Sequence, residues 1–367
     1  MTKTNETLLN DYLCPPGFGV FTVNTAKERK DKLTKVLYNT TQDQDIKTAW
    51  TSELSKLAVI NGCAILGVAS DCGGGIQRGA NWGPLFLRNT LIEEHLEVYQ
   101  QCFDLGDIRV IPHLLHDKYL NDETIKSAQN ALYGGKQLSV SPLSIAKASV
   151  DEVFKINKEL KIFSIGGDHS VSFPLVKAWI NNRRSLGKKV GLIHFDAHTD
   201  LLRERLGIDY CFGSWLTHVL DDLETPKHCY QFGIRSTGKS KEHWESEFGL
   251  NQYWAKDVKE IGAKELALKT IKELKAQGIE EIYISFDIDA LDESVASATG
   301  TPEPEGLMPH ECATMIKEFT NAFKLTGADM VEIAPLVGLS KEGSRTTLEV
   351  GAAMSSLMME AMISANN

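Results

Sequence analysis

The stretch GLIHFDAHTD at residues 191–200 runs from apolar residues straight into an alternation of Asp196, His198 and Asp200. A short apolar run of this kind is what a strand buried on both faces of a parallel sheet looks like. In extended chain, residues two apart point the same way, so the three ionisable groups share one side. In a doubly wound sheet the ligand site lies beyond the carboxyl ends of the strands, which is where these groups fall. Crowded there, they repel and desolvate one another unless a cation holds them. The bland alternative for this stretch alone is a salt-bridged strand end with a capping Asp.

Outward from it, further β-type runs stand at 63–69, 161–167, 189–196, 229–234, 281–287 and 329–334. Between them lie stretches with helical spacing, such as 144–160, where Ala148, Val150, Val153, Phe154 and Ile156 form one apolar face. Strand alternating with helix predicts an α/β protein, a three-layer α/β/α arrangement around a central, mainly parallel sheet. No Pro/Gly/Ser linker interrupts the alternation, so one domain is expected over 45–367. Residues 1–44, with CPPGFG at 14–19, are expected to be an N-terminal extension packed on the surface or on a neighbouring subunit.

Two more strand ends resemble the first. SFDIDALD puts Asp287 and Asp289 at the end of the run 281–287, and SIGGDHS puts Asp168 and His169 after 161–165. There Gly166 and Gly167 allow a tight turn, and Ser170 is placed to cap the following helix. Three strands ending in Asp or His point to one site. Its candidate metal ligands are His169, Asp196, His198, Asp200, Asp287 and Asp289. Four carboxylates match two divalent ions. With oxygen predominating and no Cys in the set, Mn²⁺ fits better than structural Zn²⁺, with Ni²⁺, Co²⁺ or Fe²⁺ as alternatives. Two such ions sharing a water make hydroxide at neutral pH, and the chemistry implied is hydrolysis.

Composition narrows the partners. The 367 residues are 42% apolar, enough for a sizeable core, and the formal charge is −10 with both signs interspersed. Nothing suggests nucleic acid or a membrane surface, and a small cationic substrate suits the balance. The first 40 residues lack the apolar stretch of a signal peptide, and no run approaches ~18 apolar residues, so a cytoplasmic location is expected. Seven cysteines without metal spacing are expected to be reduced thiols.

GGDHS, DAHTD and SFDIDALD, in that order, resemble the three signature motifs of the ureohydrolases: arginases, agmatinases, guanidinobutyrases, formimidoylglutamases and relatives. GGGIQRGANWGPLFLR (73–88), ATGTPEPEGL (298–307) and MVEIAPL (330–336) extend the similarity from about Gly62 to the C-terminus. The resemblance implies an arginase-like fold, a dinuclear Mn²⁺ site and cleavage of a guanidino or amidino C–N bond by a hydroxide bridging the ions, with urea as the usual product. It assigns His169, Asp196, Asp200 and Asp287 to one ion and Asp196, His198, Asp287 and Asp289 to the other. Asp200 and Glu332 are the implied catalytic carboxylates, Asp200 orienting the nucleophile and Glu332 pairing with the substrate guanidinium. The other reading of Glu332 is a structural ion pair with an internal Arg. Asp168 either anchors the metal-binding loop or simply caps a helix. Homo-oligomers, trimers or hexamers, are usual in such a family.

Three features depart from the pattern. Where many ureohydrolases carry a proton-shuttling His before a Gly, this chain has Phe212 before Gly213, leaving Tyr210, Cys211, His218 or water as relays. Helical phase places His218 two turns into a helix, away from the strand ends, and nothing nearby obviously activates Cys211 as a nucleophile. LLRERLG (201–207) replaces the short polar run that holds an amino-acid head group in arginases, and Ser236 stands where they carry an acid. Agmatine or another substrate without an α-amino acid head therefore fits better than arginine. A nickel-dependent guanidine hydrolase, a single-zinc deacylase and a catalytically silent metal-binding homologue are the alternatives. The Met-rich 344–363 segment is expected to pack the core or a subunit contact rather than hold a cofactor, and Trp244 and Trp254 are expected mainly to pack the core, otherwise walling the pocket.

Overall fold

The computed structural model describes residues 3–20, 24–338 and 340–364. One sheet contains β1 (Leu13–Cys14), β2 (Cys63–Gly67), β3 (Phe103–Ile108), β4 (Lys161–Ile165), β5 (Val190–Phe195), β6 (Cys229–Phe232), β7 (Asn251–Tyr253), β8 (Glu281–Asp287) and β9 (Lys324–Val331). Their order is β1-β3-β2-β4-β9-β8-β5-β6-β7, and every pairing is parallel except that of β1 with β3. The chain builds outward on both sides of a gap and then returns, inserting β8 and β9 between β5 and β4. That return brings the carboxyl ends of β4, β9, β8 and β5 side by side.

Side-chain alternation divides the core in two. Ile193 and Phe195 of β5 and Ile282, Ile284 and Phe286 of β8 pack on one face, with Met315, Phe319, Met354 and Met358 from the helices Pro309–Ala322 and Lys341–Ser364. Leu192 of β5 and Tyr283 of β8 face the other way, toward Val150, Val153, Leu175 and Trp179 of the helices Pro142–Ile156 and Ser172–Ser185. Both faces are covered, so the central strands are buried throughout and mostly apolar, as expected of a parallel sheet. The three-layer α/β/α expectation holds. Met354, Met358, Met359 and Met362 are core residues. All seven cysteines are free, and no described helix is long and apolar enough to cross a membrane.

The first strands are more polar than sequence reasoning allowed. β3 carries Asp104 and Asp107, yet it is interior because the buried Arg88 guanidinium binds both carboxylates, with Nε 2.8 Å from Asp104. Asp107 also accepts from the backbone N–H groups of Gly17 (2.8 Å) and Gly19 (3.0 Å), next to β1. Residues 13–19 are thereby tied to the sheet edge through one buried carboxylate.

Candidate metal centre

All six predicted ligand residues meet at the carboxyl ends of the central strands. Asp196, His198 and Asp200 follow β5, Asp287 closes β8 with Asp289 in the short turn beyond it, and His169 opens the turn after β4. The GGDHS turn is tight: a Cβ at Gly167 would lie 1.7 Å from the Ser70 carbonyl oxygen, and one at Gly166 2.6 Å from Val331. Only glycine lets the chain pass so close to β2 and β9.

His169 is the pivot of one donor set. Its Nδ1 lies 3.1 Å from Oδ2 of each of Asp196, Asp200 and Asp287, yet makes no hydrogen bond to any of them. Donor atoms about 2.1 Å from a common ion and at right angles to one another stand about 3.0 Å apart, which is the spacing of Nδ1 from each of the three oxygens. The tautomer agrees. Ser285 gives its hydroxyl hydrogen to Asp329 Oδ1 (2.8 Å), so it accepts from His169 Nε2–H at 3.0 Å, and in the neutral ring Nδ1 is the nitrogen that offers a lone pair. A buried, unpartnered imidazole nitrogen facing three carboxylates fits a divalent cation.

The second set lies beside the first. His198 Nδ1 is 3.2 Å from Asp289 Oδ2 and 3.5 Å from Asp196 Oδ1, so Asp196 turns one oxygen to each set. Both carboxylates also brace their turns through Oδ1, Asp196 accepting the His198 backbone N–H at 2.6 Å and Asp287 the Asp289 backbone N–H at 2.9 Å. Asp289 is steadied by Ala197 N–H (3.1 Å) and the Thr301 hydroxyl (3.0 Å), and Asp200 by the Trp215 indole N–H at 2.8 Å. Trp215 also stacks on His169, ring centres 4.8 Å apart.

Burial, and then the neighbouring charges, set the electrostatics without a cation. Burial raises the Asp287 carboxyl well above its usual range, helped by Asp289 and Asp196, and raises Asp200, helped by Asp196. Burial would raise Asp196 too, but His169, His194 and His198 hold it well below. Burial disfavours charge on His169 and His198, yet the aspartates beside them push both imidazoles up. Four carboxylates and two imidazoles so crowded are what two divalent ions would neutralise.

Glu332 lies one residue beyond β9, and its Oε1 accepts the His169 backbone N–H at 2.9 Å. No arginine pairs with it among the described residues. Burial and then Asp168 raise its carboxyl well above the ordinary range. Glu332 and Asp200 both adopt left-handed backbone, φ 62° and 52°, which costs a non-glycine residue about 1–3 kcal/mol and concentrates at functional sites. Asp168 does both things proposed for it: one oxygen caps Ser170 N–H at 2.8 Å, the other holds Gly73 N–H at 3.0 Å.

The relay candidates sit differently from the sequence expectation. His218 ends a short 3₁₀ turn, Trp215–His218, rather than lying two turns into a helix; its Nε2 donates to the Asp209 carbonyl at 2.7 Å and its ring meets Tyr210 and Phe173. The Ser214 hydroxyl bonds back to the backbone of 209–211 and keeps that segment coiled. Burial pushes the Cys211 thiol up, away from thiolate. Phe212 donates its backbone N–H to the Gly73 carbonyl (3.0 Å) and lays its ring over Gly75. Trp254 bonds to Gln252 (3.0 Å) and Trp244 to Thr237 (2.9 Å), both half-buried. Ser236 donates to Glu303 Oε1 at 2.8 Å, and that oxygen is 3.5 Å from His198 Nε2. Sequence reasoning missed His194, Trp215, Ser285, Glu303 and Asp329; the only available signal was a polar residue two positions before a ligand, as in HFD and SFD.

Residues 61–362 match the sequence model of the arginase family. The chain is 30% identical to an agmatinase of Chromobacterium violaceum over 74% of this chain and 76% of that protein. It is 32% identical to the mitochondrial guanidino acid hydrolase of Homo sapiens, over 76% and 72% respectively. Among solved structures, the arginase of Bacillus caldovelox superposes with a TM-score of 0.63 at 24% identity, covering 81% of this chain and 98% of that one. The matched span contains all three strand ends that build the donor sets, and the chain belongs to the arginase family.

Proposed function

We propose that this protein hydrolyses the guanidino C–N bond of agmatine or a similar amine-tailed substrate, releasing urea, with two Mn²⁺ ions bound by His169, Asp196, His198, Asp200, Asp287 and Asp289. That it is a metal-dependent hydrolase of guanidino compounds follows from its family and from the His/Asp cluster. The observation that carries the metal site is His169 Nδ1, orphaned among three carboxylate oxygens. Two divalent ions in these donor sets would supply Lewis acidity and a water acidified to near neutral pH.

The chain's own groups account for the rest. Glu332, fixed by the His169 N–H and isolated from arginine, is the carboxylate to pair with a guanidinium and hold its trigonal carbon toward the donor sets. Trp215 aims Asp200 by its indole N–H, leaving the other Asp200 oxygen to orient an attacking water. Glu303, held by Ser236 at the His198 edge, repels a carboxylate tail and tolerates an ammonium one, which favours agmatine over guanidino acids. With Phe212 in the shuttle position and Cys211 kept as a thiol, the leaving amine takes its proton from solvent.

The test is a panel of agmatine, arginine, guanidine, guanidinobutyrate and formimidoylglutamate, assayed for urea and ammonia after loading with Mn²⁺ and separately with Ni²⁺. Agmatine with Mn²⁺ is expected to give the highest kcat/KM. Turnover of guanidine alone with Ni²⁺ would replace this substrate assignment, and no turnover of any compound with either ion would refute the activity.

A further inference from the structure

One level below the ligands, the sheet carries a row of buried polar residues. Gln252 on β7, Gln231 on β6, His194 on β5, Ser285 on β8 and Asp329 on β9 are successive register partners, and none is more than 1% exposed. Polar side chains at this depth persist only if their hydrogen bonds are complete. Their donor directions can be worked out. The Thr199 carbonyl only accepts, so the Gln231 atom facing it at 2.8 Å is the amide nitrogen. The same nitrogen is 2.9 Å from His194 Nδ1, which must therefore present a lone pair. Gln231 Oε1 accepts from Gln252 Nε2 at 2.7 Å, and Gln252 Oε1 accepts from the Trp254 indole, a group that can only donate, at 3.0 Å. From Trp254 through Gln252 and Gln231 to His194, one donor of each group points toward Asp196. The His194 hydrogen is thus left on Nε2, 2.9 Å from Asp196 Oδ2.

We propose that His194 is a positioning residue: its Nε2–H, directed by Gln231, holds Asp196 in the orientation that offers one oxygen to each donor set. Although His194 lies among groups that could hold an ion, both its nitrogens are engaged, by Gln231 and Asp196, so it is not itself a ligand. Because Asp196 spans both sets, loosening it weakens both ions. The proposal rests on the metal-site reading above.

The test measures Mn²⁺ affinity of the full chain by competition with a chromogenic chelator, with circular dichroism to check folding. His194→Phe keeps a ring without an N–H and is expected to lower affinity about 10- to 100-fold, the usual cost of losing a group that orients a ligand. His194→Gln sets an amide N–H near the former Nε2 and is expected to recover most of that loss. Gln231→Glu, nearly isosteric, has no N–H for Nδ1 and is expected to weaken binding in the same direction, which keeps the test decisive if His194→Phe does not fold. Wild-type binding of two Mn²⁺ with Gln231→Glu and any folded His194 variant within about twofold of it would overturn the role of His194 while leaving the metal site intact. A wild-type chain that binds no Mn²⁺ overturns both.

Discussion

Replacing Asp287 by asparagine should change stability in opposite directions with and without metal. Asp287 Oδ2 and Asp196 Oδ2 each lie 3.1 Å from His169 Nδ1. They are therefore at most about 6 Å apart, and as two anions they repel by about 3 kcal/mol at an effective dielectric constant of about 20. Without metal, the wild type bears that repulsion or keeps a proton on Asp287 that the unfolded chain does not bind, in line with its raised carboxyl. The neutral side chain of the D287N variant avoids both costs, and its amide oxygen can still accept the Asp289 N–H. Allowing for the partly compensating His169, the gain is about 1–3 kcal/mol. With an unfolding entropy of about 2.1 cal/mol/K per residue over 367 residues, that raises the metal-free Tm by about 1–4 °C. Loaded with Mn²⁺ at about 100 times its Kd, the wild type gains about 2.7 kcal/mol per ion, and the variant loses at least one such gain. Thermal melts of both proteins at neutral pH, in chelator and in Mn²⁺, measure the two differences. If D287N melts below the wild type by the same amount in both conditions, Asp287 is only a turn cap and the crowding argument fails.

Three other outcomes follow from the same geometry. Glu332→Gln keeps an acceptor for the His169 N–H but loses the charge; kcat/KM should fall about 100- to 1000-fold, as for breaking a buried charged contact, with Mn²⁺ content by elemental analysis unchanged. Trp215→Phe removes the N–H on Asp200, a charge-assisted bond worth about 1.5–3 kcal/mol, so both unfolding free energy and turnover should drop, and unchanged values in urea titration and steady-state assays would count against that bond. The pH dependence has a definite sign. His169 and His198 have raised folded-state pKa values, so without metal their contribution to stability is complete below the unfolded value of about 6.5 and is lost as pH rises through the folded one. Bound ions displace those protons, so the Tm gap between metal-loaded and metal-free protein should widen as pH rises above neutrality, and a constant gap would contradict the raised imidazoles.

The strands that build the site were the ones most legible in the sequence. β4, β5, β8 and β9 are buried on both faces and therefore mostly apolar; β5 and β8 give way at once to Asp and His, β4 does so after two glycines and β9 gives way to Glu332, because site residues need the open end of the sheet. β3 escaped notice because FDLGDI carries two carboxylates whose partner, Arg88, is a distant helical residue. β1 and β7, of two and three residues, are too short for any periodicity to show. Glu332 stands inside an apolar run of the sequence, but β9 stops at Val331 and the chain turns through a left-handed residue there. His194, Ser285 and Asp329 were invisible as functional residues because their role depends on strand register, which places them in one row, and register is a property of the assembled sheet.

On this reading, side chains from separate strands gather around two cations. An anomalous difference map from Mn²⁺-replete crystals, recorded at the manganese edge, addresses it most directly. It should show one peak bonded to His169 Nδ1 and to Asp196, Asp200 and Asp287, and a second bonded to His198 Nδ1 and Asp289, with Asp196 touching both. No peak among these residues, or manganese bound only elsewhere on the molecule, would contradict it.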